Sequence, residues 1–151
     1  MRISIDKVLI TILISAILGG VASLGFTVAS PAGGRDFTEF YIVGLDGQAG
    51  DYPNDLIIGE EGEVRVGIVS RERETTVYRV AIEIDGTQQA EIDLITLAPD
   101  EKWEDAIRFR PQKTGDNQKV TFLLYKSGAT EPYLELYLWI NVEEQNRGYI
   151  W

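Results

Sequence analysis

The side chains that most often carry catalysis or bind metals are scarce in this sequence. Its 151 residues contain no histidine and no cysteine, so the commonest general base, the commonest zinc ligand and any thiol nucleophile are missing. Carboxylates are plentiful, as in Glu60-Glu61 and Glu104-Asp105, but neighbours on a strand point to opposite faces. After residue 36 there is no Ser-x-x-Lys motif, phosphate-binding glycine loop or dinucleotide fingerprint. We therefore predict a protein that is not an enzyme and has no cofactor.

Three aspartates in and beside a glycine-rich segment raise the question of a calcium site. Asp46, Asp51 and Asp55 lie within or just after Gly44 to Pro53. Their spacing does not match the ligand loop of an EF-hand, and aspartates in such segments usually form turns. We predict no metal site.

Aromatic side chains are the more promising chemical feature, and they cluster in the second half of the chain. In Leu134 to Val142 (LELYLWINV), apolar residues alternate with Tyr137, Trp139 and Asn141. One face of this segment can fill a core, whereas the other must be covered by a loop, a partner or the membrane surface, or else be exposed. Exposed aromatics can anchor a protein partner or stack on sugars. We predict that Tyr137 and Trp139 bind a partner.

The chain ends Tyr149-Ile150-Trp151. A terminal aromatic tail can dock into a groove of a partner or lie at the lipid interface, where Trp and Tyr are favoured. Tyr149 and Trp151 are therefore added to the predicted partner-binding residues, with a frayed end as the alternative.

The elements that must position these aromatics are short strands. Alternating apolar and polar residues predict strands over residues 37–43, 64–69, 76–85, 90–97, 103–109, 119–126 and 134–142. No long stretch after residue 36 has helical periodicity. This pattern predicts an all-β fold, an immunoglobulin-like antiparallel β-sandwich of about seven strands.

Two of the strands give detailed expectations about burial. Tyr78, Val80, Ile82 and Ile84 share one face of their strand and should be buried, and Asp85-Gly86 should form the hairpin turn that follows. In the next strand we expect Ile92, Leu94 and Ile95 to be buried.

An uncharged apolar run from Val8 to Ala29 sets the predicted domain organisation. Its 22 residues rise about 33 Å as a helix, enough to span a hydrocarbon core. We predict a short cytoplasmic head at residues 1–7, one transmembrane helix at 8–29, a linker at 30–36 and an extracytoplasmic β-sandwich domain at 37–151. The alternative is a signal peptide cleaved before Gly33, although apolar regions of signal peptides are usually shorter.

The flanking charges and the small residues of this run predict orientation and packing. Arg2 and Lys7 precede it and only Arg35 follows closely, so the N-terminus is expected in the cytoplasm of a single-pass cell-membrane protein. Ser15, Gly19 and Ser23 lie four residues apart on one helix face, where small side chains let a second helix approach.

The charge of the chain excludes one class of partner. The net charge is −10, and from Phe37 onward 22 acidic residues face 11 basic ones. An acidic domain repels phosphate backbones, so we expect no nucleic-acid partner.

Several blocks that occur in order carry a resemblance to a known family. They are Phe37 to Ile42 (FTEFYI), Tyr52-Pro53, Gly59-Glu60, Val66-Gly67-Ile68, Trp103-Glu104, Asn117-Gln118-Lys119, Phe122 to Lys126 (FLLYK) and Leu138 to Val142 (LWINV). Together they resemble the prokaryotic, largely archaeal membrane-protein family catalogued as domain of unknown function 1616.

This resemblance implies a membrane-attached, extracytoplasmic β domain, and it implies no activity or catalytic residue. The sequence departs from the family pattern in two ways. Members often carry several membrane helices before this domain, whereas one is predicted here, and Ser70 stands where an asparagine is expected.

Three functions are compatible with these features. The preferred one is a non-enzymatic, membrane-anchored envelope module that contacts the lipid bilayer and binds or positions another envelope or membrane protein. The second is a pilin-like or stator-like subunit of a filament or surface layer, although Lys7 is followed by Val8 rather than by glycine at the expected cleavage position. The third is a carbohydrate-binding module that binds a glycan in surface polysaccharide assembly.

Overall fold

The computed structural model describes residues 36–146, and every regular element in that part of the chain is a β-strand. The strands are β1 (Phe37–Val43), β2 (Asp55–Ile57), β3 (Gly62–Arg71), β4 (Thr76–Ile84), β5 (Thr87–Leu97), β6 (Lys102–Phe109), β7 (Gly115–Lys126) and β8 (Leu134–Glu143). Seven of these eight correspond to predicted strands. β2 was not predicted because three residues are too few to show an alternating pattern.

The apolar run at 8–29 lies outside the described residues. Between residues 36 and 146, no helix has the length and apolar character needed to cross a bilayer.

The strands form two sheets that pack face to face, as predicted for a sandwich. One sheet has the order β1-β3-β6 and the other the order β2-β8-β7-β4-β5. The pairings are antiparallel except for β2, which pairs in parallel with β8. The expectation of a purely antiparallel sandwich is therefore corrected at β2, a short strand that joins the second sheet after β1 has paired in the first.

The core lies between the two sheets and is built from alternate residues of each strand. Val64, Val66 and Ile68 of β3 are fully buried, and they belong to one cluster with the inward residues of β4, β7 and β8. The predicted buried face of β4 is confirmed, since Tyr78, Val80, Ile82 and Ile84 are all buried.

The hairpin predicted after β4 is also confirmed. β4 and β5 pair as neighbours across Asp85 and Gly86, whose φ angles are 47° and 81°. Positive φ at both central residues is the geometry of the type I′ turn, which matches the twist of the flanking strands.

The expected burial of Leu94 is wrong, because its side chain is 80% exposed. Its φ is 59°, and the register shifts so that Tyr78 pairs with Ile95 but Val80 pairs with Ile92. One extra residue therefore lies in β5, which is a β-bulge. The bulge reverses the alternation, so Ile95 is buried and Ile92 packs partly against the core while Leu94 points to solvent.

The connections between strands gather at two ends of the sandwich. One end, called here the N-terminal end, carries the start of β1 and the β3–β4, β5–β6 and β7–β8 connections. The opposite end carries the β4–β5 turn, the β6–β7 connection and the end of β8.

Candidate functional site

The outer face of the five-stranded sheet carries the two predicted aromatic residues of β8. Leu136, Leu138 and Ile140 point into the core, so strand alternation sends Tyr137 and Trp139 outward. Tyr137 is 42% exposed and Trp139 is 51% exposed. The sequence could not decide which face of β8 was buried, and the structure places its aliphatic face inside.

The two rings contact each other and a lysine of the neighbouring strand. Their centroids are 6.0 Å apart, and the ring planes are inclined by 73° in an edge-to-face arrangement. Lys119 of β7, which pairs with Trp139, places its Nζ 4.6 Å from the centroid of the Tyr137 ring. The same Nζ lies 3.5 Å from a carboxylate oxygen of Glu135. We call Tyr137, Trp139 and Lys119 the aromatic surface.

This surface is bounded on the β4 side by an aromatic ring that is already covered. The Arg79 guanidinium lies 3.9 Å from the ring centroid of Tyr125 and 3.3 Å from Glu91. Between this pair and the aromatic surface, Thr121 and Leu123 of β7 are buried. The exposed aromatic area is therefore confined to β8.

On the β2 side the aromatic surface ends at a polar junction. The Asn141 side-chain amide donates to Asp55 Oδ1 at 2.9 Å, and Asn141 Oδ1 accepts from the Asn117 backbone amide at 3.1 Å. Ile57 is exposed beyond this junction, at the position that pairs with Glu143. An apolar centre with a polar rim is the usual anatomy of a protein-binding surface.

The other predicted functional residues lie outside the described part of the chain. These are Tyr149 and Trp151 of the tail and Ser15, Gly19 and Ser23 of the apolar run. The structure therefore brings together two of the four predicted partner-binding residues, Tyr137 and Trp139.

A second cluster, which sequence reasoning missed, lies on the outer face of the three-stranded sheet. Gly67 of β3 pairs with Tyr41 on one side and with Glu104 on the other. The Tyr41 ring lies across Gly67, where any added Cβ would collide with it, and its hydroxyl donates to Glu104 Oε2 at 2.5 Å. A glycine between larger residues in a strand is a possible signal for such a crossing ring.

Two cations complete this cluster. Lys102 Nζ lies 3.0 Å from Glu104 Oε2, and Arg65 Nη1 lies 3.1 Å from Oε1. The Tyr41 hydrogen bond, followed by that of Lys102, lowers the pKa of Glu104, while burial raises the pKa of Tyr41. A carboxylate held ionised by three donors is suited to fixing local structure rather than to accepting a proton near neutral pH.

The third polar cluster is at the N-terminal end, beneath an open cleft of about 530 Å³ that Glu72 and Lys126 help to line. Lys126 Nζ lies 2.7 Å from Glu72 Oε1 and 3.9 Å from the ring centroid of Tyr133. Arg73, which also lines the cleft, lies 3.0 Å from a carboxylate oxygen of Asp36. Both cations of the cleft are therefore paired with carboxylates.

The carboxylates considered at the outset take structural roles. Glu60 Oε2 accepts the Ile57 amide at 2.9 Å, and Glu61 pairs with Arg110 at 2.8 Å. Asp46 Oδ1 accepts the Gln48 amide at 2.9 Å within the β1–β2 connection. Between residues 36 and 146, no three His, Cys, Asp or Glu side chains are grouped so that they could hold a metal ion.

Comparison with known proteins identifies a family and a fold. A family model described as "Domain of unknown function (DUF1616)" matches residues 31–141. No curated protein matches the chain.

Among solved structures, the chain is similar to the CARDB domain of the PF1109 protein from Pyrococcus furiosus, a crystal structure described as a complex with di-metal ions. The TM-score is 0.54 at 11% identity, covering 76% of this chain and 100% of that one. The solution structure of that CARDB domain gives 0.52 at 14% identity, covering 72% and 98%. Red sea bream transglutaminase gives 0.52 at 14% identity, over 71% of this chain and 15% of that enzyme. At these identities the similarities establish the β-sandwich fold alone.

Proposed function

We propose that this chain, which belongs to the family described as Domain of unknown function (DUF1616), is a non-enzymatic, membrane-anchored envelope module that binds or positions another envelope protein. The membership confirms the resemblance expected from the sequence blocks. The observation that carries the proposal is the exposed Tyr137–Trp139 pair, which lies beside the buried Thr121 and Leu123 of β7.

The composition of the aromatic surface supports a protein partner. Tyr and Trp are enriched among the residues that dominate binding energy at interfaces, where a few anchors surrounded by a polar rim carry most of the affinity. The Lys119 ammonium lies close both to the Tyr137 ring and to the Glu135 carboxylate. It can therefore contact an aromatic ring or a carboxylate of a partner in the same way. Two paired strands, β7 and β8, hold these side chains, so little backbone conformational entropy is lost on binding.

The ring geometry gives less support to the glycan-binding alternative. Two coplanar rings would make a flat platform for successive sugars, whereas Tyr137 and Trp139 are inclined by 73°. A glycan would then have to stack on Trp139 alone. The pilin-like or stator-like alternative depends on the apolar run, and N-terminal sequencing of the mature chain tests it, because a start near Val8 favours that class.

Co-purification tests the binding function. The full chain, tagged at its C-terminus through a spacer and solubilised gently from native membranes, should retain a stoichiometric protein partner. Trp139→Ala should lose that partner. Leu94→Ala is the matched control, because Leu94 is an exposed apolar side chain on β5, the strand at the opposite edge of the same sheet. This variant should retain the partner.

Two results would count against the proposal. One is a monomer without any protein partner, in which case binding to an array of envelope glycans that is lost in Trp139→Ala would favour the carbohydrate-binding alternative. The other is a partner that both variants retain, which would place the interface elsewhere.

The predicted membrane anchor is tested separately. The full chain should remain in the membrane fraction after carbonate extraction, whereas a chain that begins at residue 36 should be released. Release of the full chain would contradict an uncleaved anchor.

A further inference from the structure

Within residues 36–146, one side of β8 pairs with no strand over residues 134–140, and this side is called the free edge of β8. Within the described part of the chain, the only strand on the side away from β7 is β2, which pairs with Asn141, Val142 and Glu143 alone. At that junction the Asn141 amide donates to the Asn54 carbonyl at 2.7 Å, and the Glu143 carbonyl accepts from the Ile58 amide at 2.8 Å. Backbone groups of Asn141 and Glu143 therefore point away from β7.

The same geometry applies to the residues that precede this junction. Alternate residues of an extended strand direct their backbone amides and carbonyls to the same side. The amides and carbonyls of Glu135, Tyr137 and Trp139 therefore also point away from β7, where no strand of residues 36–146 pairs with them. A row of such groups is a template for pairing with another extended segment.

The other strand edges of the sandwich carry features that oppose such pairing. The edge strand β5 is interrupted by the bulge at Leu94 and carries acidic side chains at Glu91 and Asp93. The edge strand β6 carries four charged residues, Lys102, Glu104, Asp105 and Arg108. On β1, the Ile42 carbonyl already accepts a hydrogen bond from the Tyr52 hydroxyl at 3.2 Å.

The free edge of β8 has no comparable protection. Its register with β7 is regular from Gln118–Ile140 to Leu124–Leu134. It contains no proline and a single charged residue, Glu135. Bulges, prolines and charges are the usual means by which proteins prevent edge pairing. β5 has a bulge and two acidic residues and β6 has four charged residues, whereas this edge of β8 has only Glu135.

We propose that the partner binds as an extended peptide segment that adds a strand to the free edge of β8. This inference rests on the proposed binding function and names the mode of binding at the same surface. The added strand hydrogen-bonds to Glu135, Tyr137 and Trp139 through its backbone, and its outward side chains lie beside the two rings at the spacing of cross-strand pairs. Its inward side chains face the gap between β8 and β1, which are the neighbouring edges of the two sheets.

The charge of the domain identifies the chemistry of this segment. From residue 37 onward, 22 acidic residues face 11 basic ones. Like charges repel a second copy of the chain, whereas a basic segment is attracted. The occupant is therefore a segment of another protein with alternating apolar residues and a net positive charge, and it needs about seven residues to cover positions 134–140.

Selection from a phage-displayed library of random dodecapeptides, against the full chain in nanodiscs, tests this mode. The selected peptides should be basic, with apolar residues at alternate positions. Glu135→Pro removes one outward amide donor from the edge, and Glu135→Ala is its matched control because it removes the same side chain but keeps the amide. We expect Glu135→Pro to weaken binding about tenfold relative to Glu135→Ala.

A chemical variant of the peptide keeps the test valid if Glu135→Pro fails to fold. N-methylation of alternate peptide amides on the bonded side should abolish binding to the unchanged protein, whereas N-methylation on the other side should not. In amide hydrogen exchange, the bound peptide should slow exchange of the Tyr137 and Trp139 amides. The Leu136 and Leu138 amides, which face β7, should already exchange slowly in the free protein.

Three results would overturn the inference, and they separate its failure from that of the proposed function. In the first, Trp139→Ala abolishes binding of the peptides or of the co-purified partner, but Glu135→Pro and N-methylation do not weaken it. That result would support binding at the aromatic surface and exclude strand addition. In the second, the Tyr137 and Trp139 amides exchange slowly in the free full chain, which would show that the edge is already covered. A dimer in sedimentation would then identify a second copy as the cover, and a monomer would identify the chain's own termini. Selection of no peptide, with no partner in the co-purification, would remove both proposals.

Discussion

At the scale of single residues, the fold is marked by side chains whose partners lie far away in sequence. Glu104 of β6 accepts from Tyr41 of β1 and pairs with Arg65 of β3, so one carboxylate connects all three strands of its sheet. Gly67 allows this arrangement because it leaves room for the Tyr41 ring. Polar and steric details of this kind decide how stability responds to pH and to substitution.

Glu104 should make the domain sensitive to acid. Its pKa is lowered in the folded protein, chiefly by the Tyr41 hydrogen bond and then by Lys102, from an ordinary value of 4.5. A lowered pKa stabilises the folded state fully above the ordinary value, and this contribution is lost as the pH falls through the folded value. Urea unfolding of Glu104→Gln should therefore show a smaller loss of stability below about pH 4.5 than the unchanged protein.

The control for this measurement is Glu131→Gln, a change at an exposed residue of the β7–β8 connection. It should keep the acid-dependent loss of stability. Parallel pH profiles for Glu104→Gln and the unchanged protein would contradict the role assigned to Glu104.

Gly67 should tolerate no side chain while Tyr41 is present. Gly67→Ala places a methyl group inside the Tyr41 ring position, and we expect a loss of about 1–3 kcal/mol in the free energy of unfolding. In a Tyr41→Ala background the same substitution should cost much less, because the colliding ring is gone. Chemical denaturation of the four proteins measures this coupling, and additive costs would contradict it.

At the scale of elements, the strands at the edges of the five-stranded sheet differ in how regularly they pair with their neighbours. The bulge of β5 turns Leu94 to solvent and makes its edge irregular, whereas β8 stays regular and exposes two aromatic rings. The two strands of the same sheet therefore differ in the regularity of their pairing, since the register of β5 with β4 shifts twice.

The β5 bulge should be strained at Leu94, which has a φ of 59° and an 80% exposed side chain. A left-handed conformation costs an ordinary residue about 1–2 kcal/mol, and glycine avoids that cost. Since Leu94 has little packing to lose, Leu94→Gly should raise the free energy of unfolding by up to about 1 kcal/mol. Thr96→Gly, at an exposed extended position of the same strand, should lower it by about 0.5–1 kcal/mol. Equal losses in both variants would argue against strain at the bulge.

At the scale of the whole molecule, a buried polar contact joins the two sheets at the N-terminal end. The Tyr78 hydroxyl of β4 lies 2.8 Å from Thr38 Oγ1 of β1 and 3.3 Å from Ser70 Oγ of β3. Thr38 in turn donates to Glu72, which pairs with Lys126 of β7. Ser70, where the family pattern leads one to expect asparagine, is fully buried in this contact.

Removal of this inter-sheet contact should be measurable. Tyr78→Phe deletes a hydroxyl that is almost completely buried and leaves the oxygens of Thr38 and Ser70 without it. We expect a loss of about 1–2 kcal/mol in thermal or chemical unfolding. Tyr125→Phe, on the outer face of the same sheet, should change stability by less than about 0.5 kcal/mol. An equal effect of the two substitutions would contradict a special role for the Tyr78 hydroxyl.

The sequence by itself determined the all-β class, seven of the eight strands and the buried face of β4, because period-two alternation is a local property of a half-buried strand. It also identified Tyr137 and Trp139 as aromatic residues that share one face of the last strand. It failed at Leu94, because a bulge depends on the register with the partner strand, and at β2, which is defined by its pairing with β8.

Only the tertiary structure decided which face of β8 is outside and that Tyr41 reaches Glu104 across Gly67. It also decided that, among the strands of residues 36–146, only β2 pairs with the outer side of β8, and only over three residues. Each of these depends on which distant strands become neighbours. That choice follows from closing the two sheets around one core, and no local pattern contains it.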